Sequence, residues 1–139
     1  MFRINSIRPA AICLLVLFGT VNAEMLETSS GKLAALIEGG AVIVDVRTPD
    51  EWRATGVIPQ SHLLTFFDHR GNYDLDDWLS KFTRLAGRED SVAIICAIGN
   101  RSRVISHFLS SQLGYQKVHN VTRGIEHWIG SGHPVDNWP

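Results

Sequence analysis

The sequence predicts one α/β domain built on a mainly parallel sheet flanked by helices. Three observations lead there. Residues 42–46 and 92–95 are almost wholly apolar and rich in β-branched side chains, as strands covered on both faces are. Segments with helical spacing of apolar residues alternate with such strands, most clearly over residues 102–113. The chain has 139 residues, 45% of them hydrophobic, which is the size and apolar content of a single domain with a core.

The first residues are of another kind. Arg3 and Arg8 give a basic start, residues 10–18 are almost wholly apolar, and Val21-Asn22-Ala23 supplies small residues at a cleavage point. This is the three-part pattern of a secretory signal over residues 1–23, with an uncleaved anchor as the other reading. The apolar run is shorter than the ~20 residues a membrane-spanning helix needs. The expectation is a domain over residues 24–139, periplasmic or secreted, with no stable membrane insertion once the signal is removed. All 14 acidic residues and all but two of the 13 basic ones lie in that part, which is therefore mildly acidic. A nucleic-acid binder would carry a clustered basic excess, so that class is set aside.

Within the domain, Ser30 is placed to cap a helix carrying Leu33, Ala34 and Ile37, which Gly39 and Gly40 end. Residues 42–46 form a buried strand. Thr48-Pro49-Asp50-Glu51 opens a short helix with proline in its first turn, Gly56 breaks it, and Val57-Ile58 begins an extended piece. Residues 66–73 read as a loop in which Arg70 could face a site or simply meet solvent. Asp74, Asp76 and Asp77 favour the start of a helix bearing Leu75, Trp78, Leu79 and Phe82. Residues 92–95 are a second buried strand, residues 117–121 a third, and Gly124 opens a last short helix. Trp52, Trp78 and Trp128 are expected core anchors. An Arg47–Glu51 pair at helical spacing would brace the turn after the first of these strands.

The chemistry is expected where residues 92–95 run into Cys96. Loss of the signal would remove Cys13, leaving Cys96 as a lone cysteine in an exported protein, either a reactive thiol or an inert core residue. Ala97-Ile98-Gly99-Asn100-Arg101 then leads to the helix that Ser102 is expected to cap. Gly99 and Asn100 tolerate the positive φ with which a short loop curls its N–H groups onto one anion. The helix start and Arg101 add positive charge, and no Asp or Glu occurs from Ser91 to Ile125. Such surroundings favour a thiolate over a thiol, on a cysteine expected to be about half buried.

Cys96-Ala97-Ile98-Gly99-Asn100-Arg101-Ser102 resembles the active-site loop of the rhodanese family, Cys-x-x-Gly-x-Arg-Ser. Val44-Asp45-Val46-Arg47-Thr48-Pro49-Asp50-Glu51-Trp52 followed by Gly56-Val57-Ile58-Pro59 resembles that family's first signature. Val121-Thr122-Arg123-Gly124-Ile125-Glu126-His127-Trp128 resembles its closing segment. The resemblance as a whole spans roughly residues 29–135. There are departures: Ala97 stands where arginine is common, Val57 where histidine is usual, Gln60-Ser61 where Gly-Ala is, and Arg123 where the first of two glycines is.

The resemblance implies a rhodanese-like fold and a ping-pong sulfur transfer. Cys96 would take sulfur from an anionic donor such as thiosulfate and pass it, as a persulfide, to cyanide or a thiol. Cys96 and Arg101 would be catalytic, Arg101 orienting the donor. Ala97, Ile98, Gly99, Asn100 and Ser102 would bind the substrate through their backbone. No cofactor is implied, and no metal, since the six histidines show no close ligand pair. Two other classes remain. A Cys-dependent phosphatase or arsenate reductase of related fold would have five residues between Cys and Arg, where this loop has four. A non-catalytic rhodanese-like binding module would commonly lack the cysteine.

Overall fold

The computed structural model describes residues 23–139, so the proposed signal over residues 1–23, with Cys13, lies outside the described residues but for Ala23. Ten elements alternate along the chain. They are β1 (Leu26–Thr28), α1 (Ser30–Glu38), β2 (Val42–Asp45), α2 (Pro49–Thr55), β3 (His62–Leu63), α3 (Leu75–Leu85), β4 (Ser91–Ile95), α4 (Asn100–Ser111), β5 (Lys117–Val121) and α5 (Gly124–Gly130). The five strands form one sheet in the order β1-β5-β4-β2-β3, every neighbouring pair parallel. The expected α/β class with a parallel sheet is what the chain builds.

Parallel strands buried on both faces need apolar residues at successive positions, and β4 supplies them from Val92 to Ile95. Val92 and Ile94, with Cys96 beyond the strand, join Trp78, Phe82, Ile105 and Leu109 on the side of α3 and α4. Ala93 and Ile95 join Leu33, Ile43, Ile125 and Trp128 on the side of α1 and α5. The period of two thus divides one apolar run between two cores. Trp52, Trp78 and Trp128 are 5%, 3% and 3% exposed, as core anchors should be.

Several expectations need correcting. β1 has three residues, too few to carry a pattern, and it docks on the sheet edge beside β5. Ser29 rather than Ser30 caps α1, accepting from the Lys32 N–H. Val57 does not start a strand of the sheet: it exchanges two backbone hydrogen bonds with Asp136 in an isolated antiparallel bridge. The apolar stripe on α4 is only half used, for Ile105 and Leu109 are buried while Val104 is 63% exposed.

Candidate active site

β4 is central in the sheet, and its end delivers Cys96 directly to the loop. The loop is tighter than the sequence suggests: Ala97, Ile98 and Gly99 complete it, and Asn100 and Arg101 already belong to the first turn of α4. Gly99 is the N-cap, in the left-handed region at φ 93°, and no side chain caps the helix. Ser102 is therefore not the cap. Its backbone N–H instead donates to Cys96 Sγ at 3.4 Å, the Gly99 N–H donates to the same sulfur at 3.2 Å, and Ser102 Oγ lies 3.2 Å from it. The sulfur sits at the positive end of α4, with two backbone donors aimed at it.

The loop is held from outside by the chain that follows β5. Backbone N–H groups of Ile125 and Glu126 donate to the carbonyl oxygens of Cys96 and Ala97 at 2.9 and 3.2 Å. With its carbonyls bound by the start of α5, the loop is free to turn amides inward. The approach is close enough that a Cβ on Gly124 would collide with both carbonyl oxygens, and one on Gly99 would come within 2.9 Å of the Arg123 nitrogen. Arg123, standing where the resembled family has glycine, adopts φ 63°. A non-glycine residue there is under local strain.

The charges are arranged differently from the expectation. Arg101 is paired with an acid from another element. Its two terminal nitrogens donate to the two carboxylate oxygens of Glu51 at 2.9 and 2.6 Å. Glu51 also completes a capping box with Thr48 at the start of α2, so one carboxylate ties α2 to α4. The expected Arg47–Glu51 brace gives way to a buried pair: Arg47 binds Asp45, both side chains 1% exposed, and also donates to Thr55 Oγ1 and the Gly56 carbonyl. Arg103 pairs with Glu27 at 2.8 Å. Folding thus brings two carboxylates to a loop whose sequence neighbourhood has none. Arg70 is exposed in the 66–73 loop.

Cys96 is 1% exposed, more deeply set than expected, because its side chain continues the α3–α4 core cluster. Behind Ser102 stands Asn120, 0% exposed on β5, whose Oδ1 accepts from Ser102 Oγ at 2.7 Å. Asn120 was missed by the sequence reading, although an asparagine inside a run like Val118-His119-Asn120-Val121 is the kind of buried polar residue that needs a partner. Glu27 was missed as well, and its three-residue strand gives no signal. A cavity of about 400 Å³ lined by Ile98, Arg123, Glu126 and His127 lies against the outer side of the loop. Among the described residues no three His, Cys, Asp or Glu side chains converge as a metal site.

The Glu51–Arg101 pair makes a pH prediction. The Arg101 hydrogen bonds, against the opposing effect of burial and with help from Thr48, pull the Glu51 carboxyl from 4.5 down to about 2. A carboxyl lowered on folding contributes stability that is complete above its unfolded value and is lost as pH falls through its folded one. The stability advantage of the wild type over Glu51→Gln should therefore be constant above pH 4.5 and shrink toward pH 2. Urea midpoints measured across that window check it, and an advantage independent of pH would remove the ion pair from the account.

Three comparisons bear on this arrangement. Residues 29–131 match the family model described as Rhodanese-like domain. The chain is 29% identical over 107 residues to "Thiosulfate sulfurtransferase GlpE" of Tolumonas auensis, covering 76% of this chain and 90% of that protein. Among solved structures, a rhodanese-related protein from Thermoplasma volcanium superposes with a TM-score of 0.62 at 31% identity, over 81% of this chain and 99% of that one. A Rhodopseudomonas palustris protein described as a possible tyrosine phosphatase superposes at 0.60 with 23% identity, over 81% and 85%, a likeness of fold alone.

Proposed function

The chain belongs to the rhodanese-like domain family, and from that premise we propose that it is a sulfurtransferase working through a persulfide on Cys96. The observation that carries the reading is the sulfur itself, intact at the loop start and met by the Gly99 and Ser102 N–H groups. The likeness to a thiosulfate sulfurtransferase supports thiosulfate as the donor class.

The steps follow from the geometry. Cys96 reacts as the thiolate, the nucleophilic form of a cysteine. It attacks the outer sulfur of thiosulfate, a new S–S bond forms, the bond to the inner sulfur breaks, and sulfite leaves with the electron pair. The enzyme then holds a persulfide whose terminal sulfur carries the negative charge. The Gly99 and Ser102 amides, which already meet Cys96 Sγ, are the preorganised dipoles that favour this anion. Cyanide, or a thiolate acceptor, attacks the terminal sulfur and leaves as thiocyanate or a new persulfide, returning Cys96 to its thiolate. With Arg101 bound to Glu51, the donor's charge falls to the backbone amides, and Arg101 holds the loop on α2. The reaction needs no metal or cofactor.

We place the protein in an exported compartment, on the strength of the basic start, apolar run and small residues that precede Glu24. One measurement tests location and chemistry together. Protein from its native host should have the intact mass of residues 24–139, and thiosulfate should add the mass of one sulfur, removable by cyanide. A retained residue 1 on protein recovered from the cytosol would overturn export, and an unchanged mass after thiosulfate would mark a binding module without transferase activity.

A further inference from the structure

The polar groups behind Cys96 form a chain with a fixed direction. Ser102 has one hydroxyl hydrogen and gives it to Asn120 Oδ1 at 2.7 Å, a carbonyl oxygen that only accepts. The far end of the Asn120 amide sets its orientation, because Nδ2 donates to Glu27 Oε2 at 2.9 Å. Glu27 is an acceptor there and nothing else: the Arg103 hydrogen bond, against burial and with Thr122 and Asn120, holds its carboxyl below the usual range. Turned over, Asn120 would press its own carbonyl oxygen against a carboxylate. With the Ser102 hydrogen committed, Ser102 Oγ meets the sulfur 3.2 Å away with a lone pair. At that contact the sulfur is the donor.

We propose that Glu27, acting through Asn120 and Ser102, is a positioning residue for Cys96, fixing the hydrogen bond so that Ser102 accepts the thiol hydrogen and offers none to the sulfur. The Gly99 and Ser102 amides are then the donors that remain to the sulfur. The inference rests on the reading of Cys96 as sulfur carrier, since its hydrogen must leave as a proton before Sγ attacks a donor. The hold falls on the first half-reaction, for in the persulfide Sγ carries no hydrogen.

Iodoacetamide alkylation of Cys96 at neutral pH, followed by peptide mass spectrometry, tests the relay. Glu27→Lys presents a donor to Asn120, turns the amide over, and frees the Ser102 hydroxyl to donate to sulfur. Alkylation should be about fivefold faster, the factor expected for one modest hydrogen bond. Glu27→Gln keeps a carbonyl oxygen for Asn120 and should stay within about twofold of wild type, as should Glu27→Lys beside Ser102→Ala relative to Ser102→Ala alone. Three results would each overturn the proposal: no acceleration in Glu27→Lys, equal acceleration without Ser102, or Glu27→Gln as fast as Glu27→Lys. Equal acceleration without Ser102 would mean the added charge acts through space. An infrared difference spectrum, wild type minus Cys96→Ser, serves independently of how Glu27→Lys folds. Its S–H stretching band should be lowered by hydrogen bonding, and a band at the frequency of an unbonded thiol would defeat the relay. None of these readouts needs turnover, so a failure of the relay shows in them alone, whereas failure of the transferase reading shows as an unchanged mass after thiosulfate.

Discussion

Replacing Cys96 with serine is expected to lower thiosulfate-to-cyanide sulfur transfer by about three orders of magnitude or more, the scale on which loss of a catalytic nucleophile acts. The hydroxyl fits the same space and accepts from the same two amides, Gly99 and Ser102, but it forms no persulfide. Stability should change by no more than roughly 1–2 kcal/mol, because the substitution is near-isosteric at a buried site. Thiocyanate formation and a urea melt of the same preparation separate the two effects. A variant that kept half of the wild-type rate would remove Cys96 from the role of carrier.

Arg47→Ala is expected to be the most destabilising of the substitutions considered, by about 3–5 kcal/mol, the range for breaking one partner out of a buried ion pair. The cost comes chiefly from what remains. Asp45, 0% exposed, would be left buried with no guanidinium, and the Gly56 carbonyl and Thr55 hydroxyl would each lose a donor. For a domain whose total stability is of order 5–15 kcal/mol, a large share disappears. A double replacement, Asp45→Leu with Arg47→Leu, should recover part of it, since no unpaired charge is left behind. Urea denaturation of the three proteins measures both effects. A loss below about 1 kcal/mol for Arg47→Ala would mean that the pair does not hold the end of β2.

The contrast between these two residues shows what the sequence discloses. Cys96 was legible because the sulfur, the loop glycine and the following helix are contiguous, and contiguous chemistry leaves a pattern. The same is true of β4, whose residue types fit a strand buried on both faces. Arg47, Glu51 and Arg101 were visible as residues but not as partners. Glu51 reaches Arg101 across 50 positions, a choice made by the packing of α2 beside the loop. Helical spacing pointed to Arg47 for Glu51, while the turn of the chain gave Arg47 to Asp45 two residues away. Glu27 was invisible for a different reason: 93 positions separate it from Asn120, and β1 is too short to announce itself.

The lock that α5 places on the loop has a consequence in time. Cys96 leaves the ribosome well before Asn120, Ile125 and Glu126, yet those later residues anchor Ser102 and bind the carbonyls behind the sulfur. Parallel pairing of β4 with β5 likewise waits for the crossover through α4. The loop is therefore assembled late, when almost the whole domain is present to close on it. A chain halted or cut before residue 120 carries the thiol without its scaffold, and its sulfur behaves as that of any unfolded peptide. Competence to hold an activated sulfur is in this way a mark of a finished molecule.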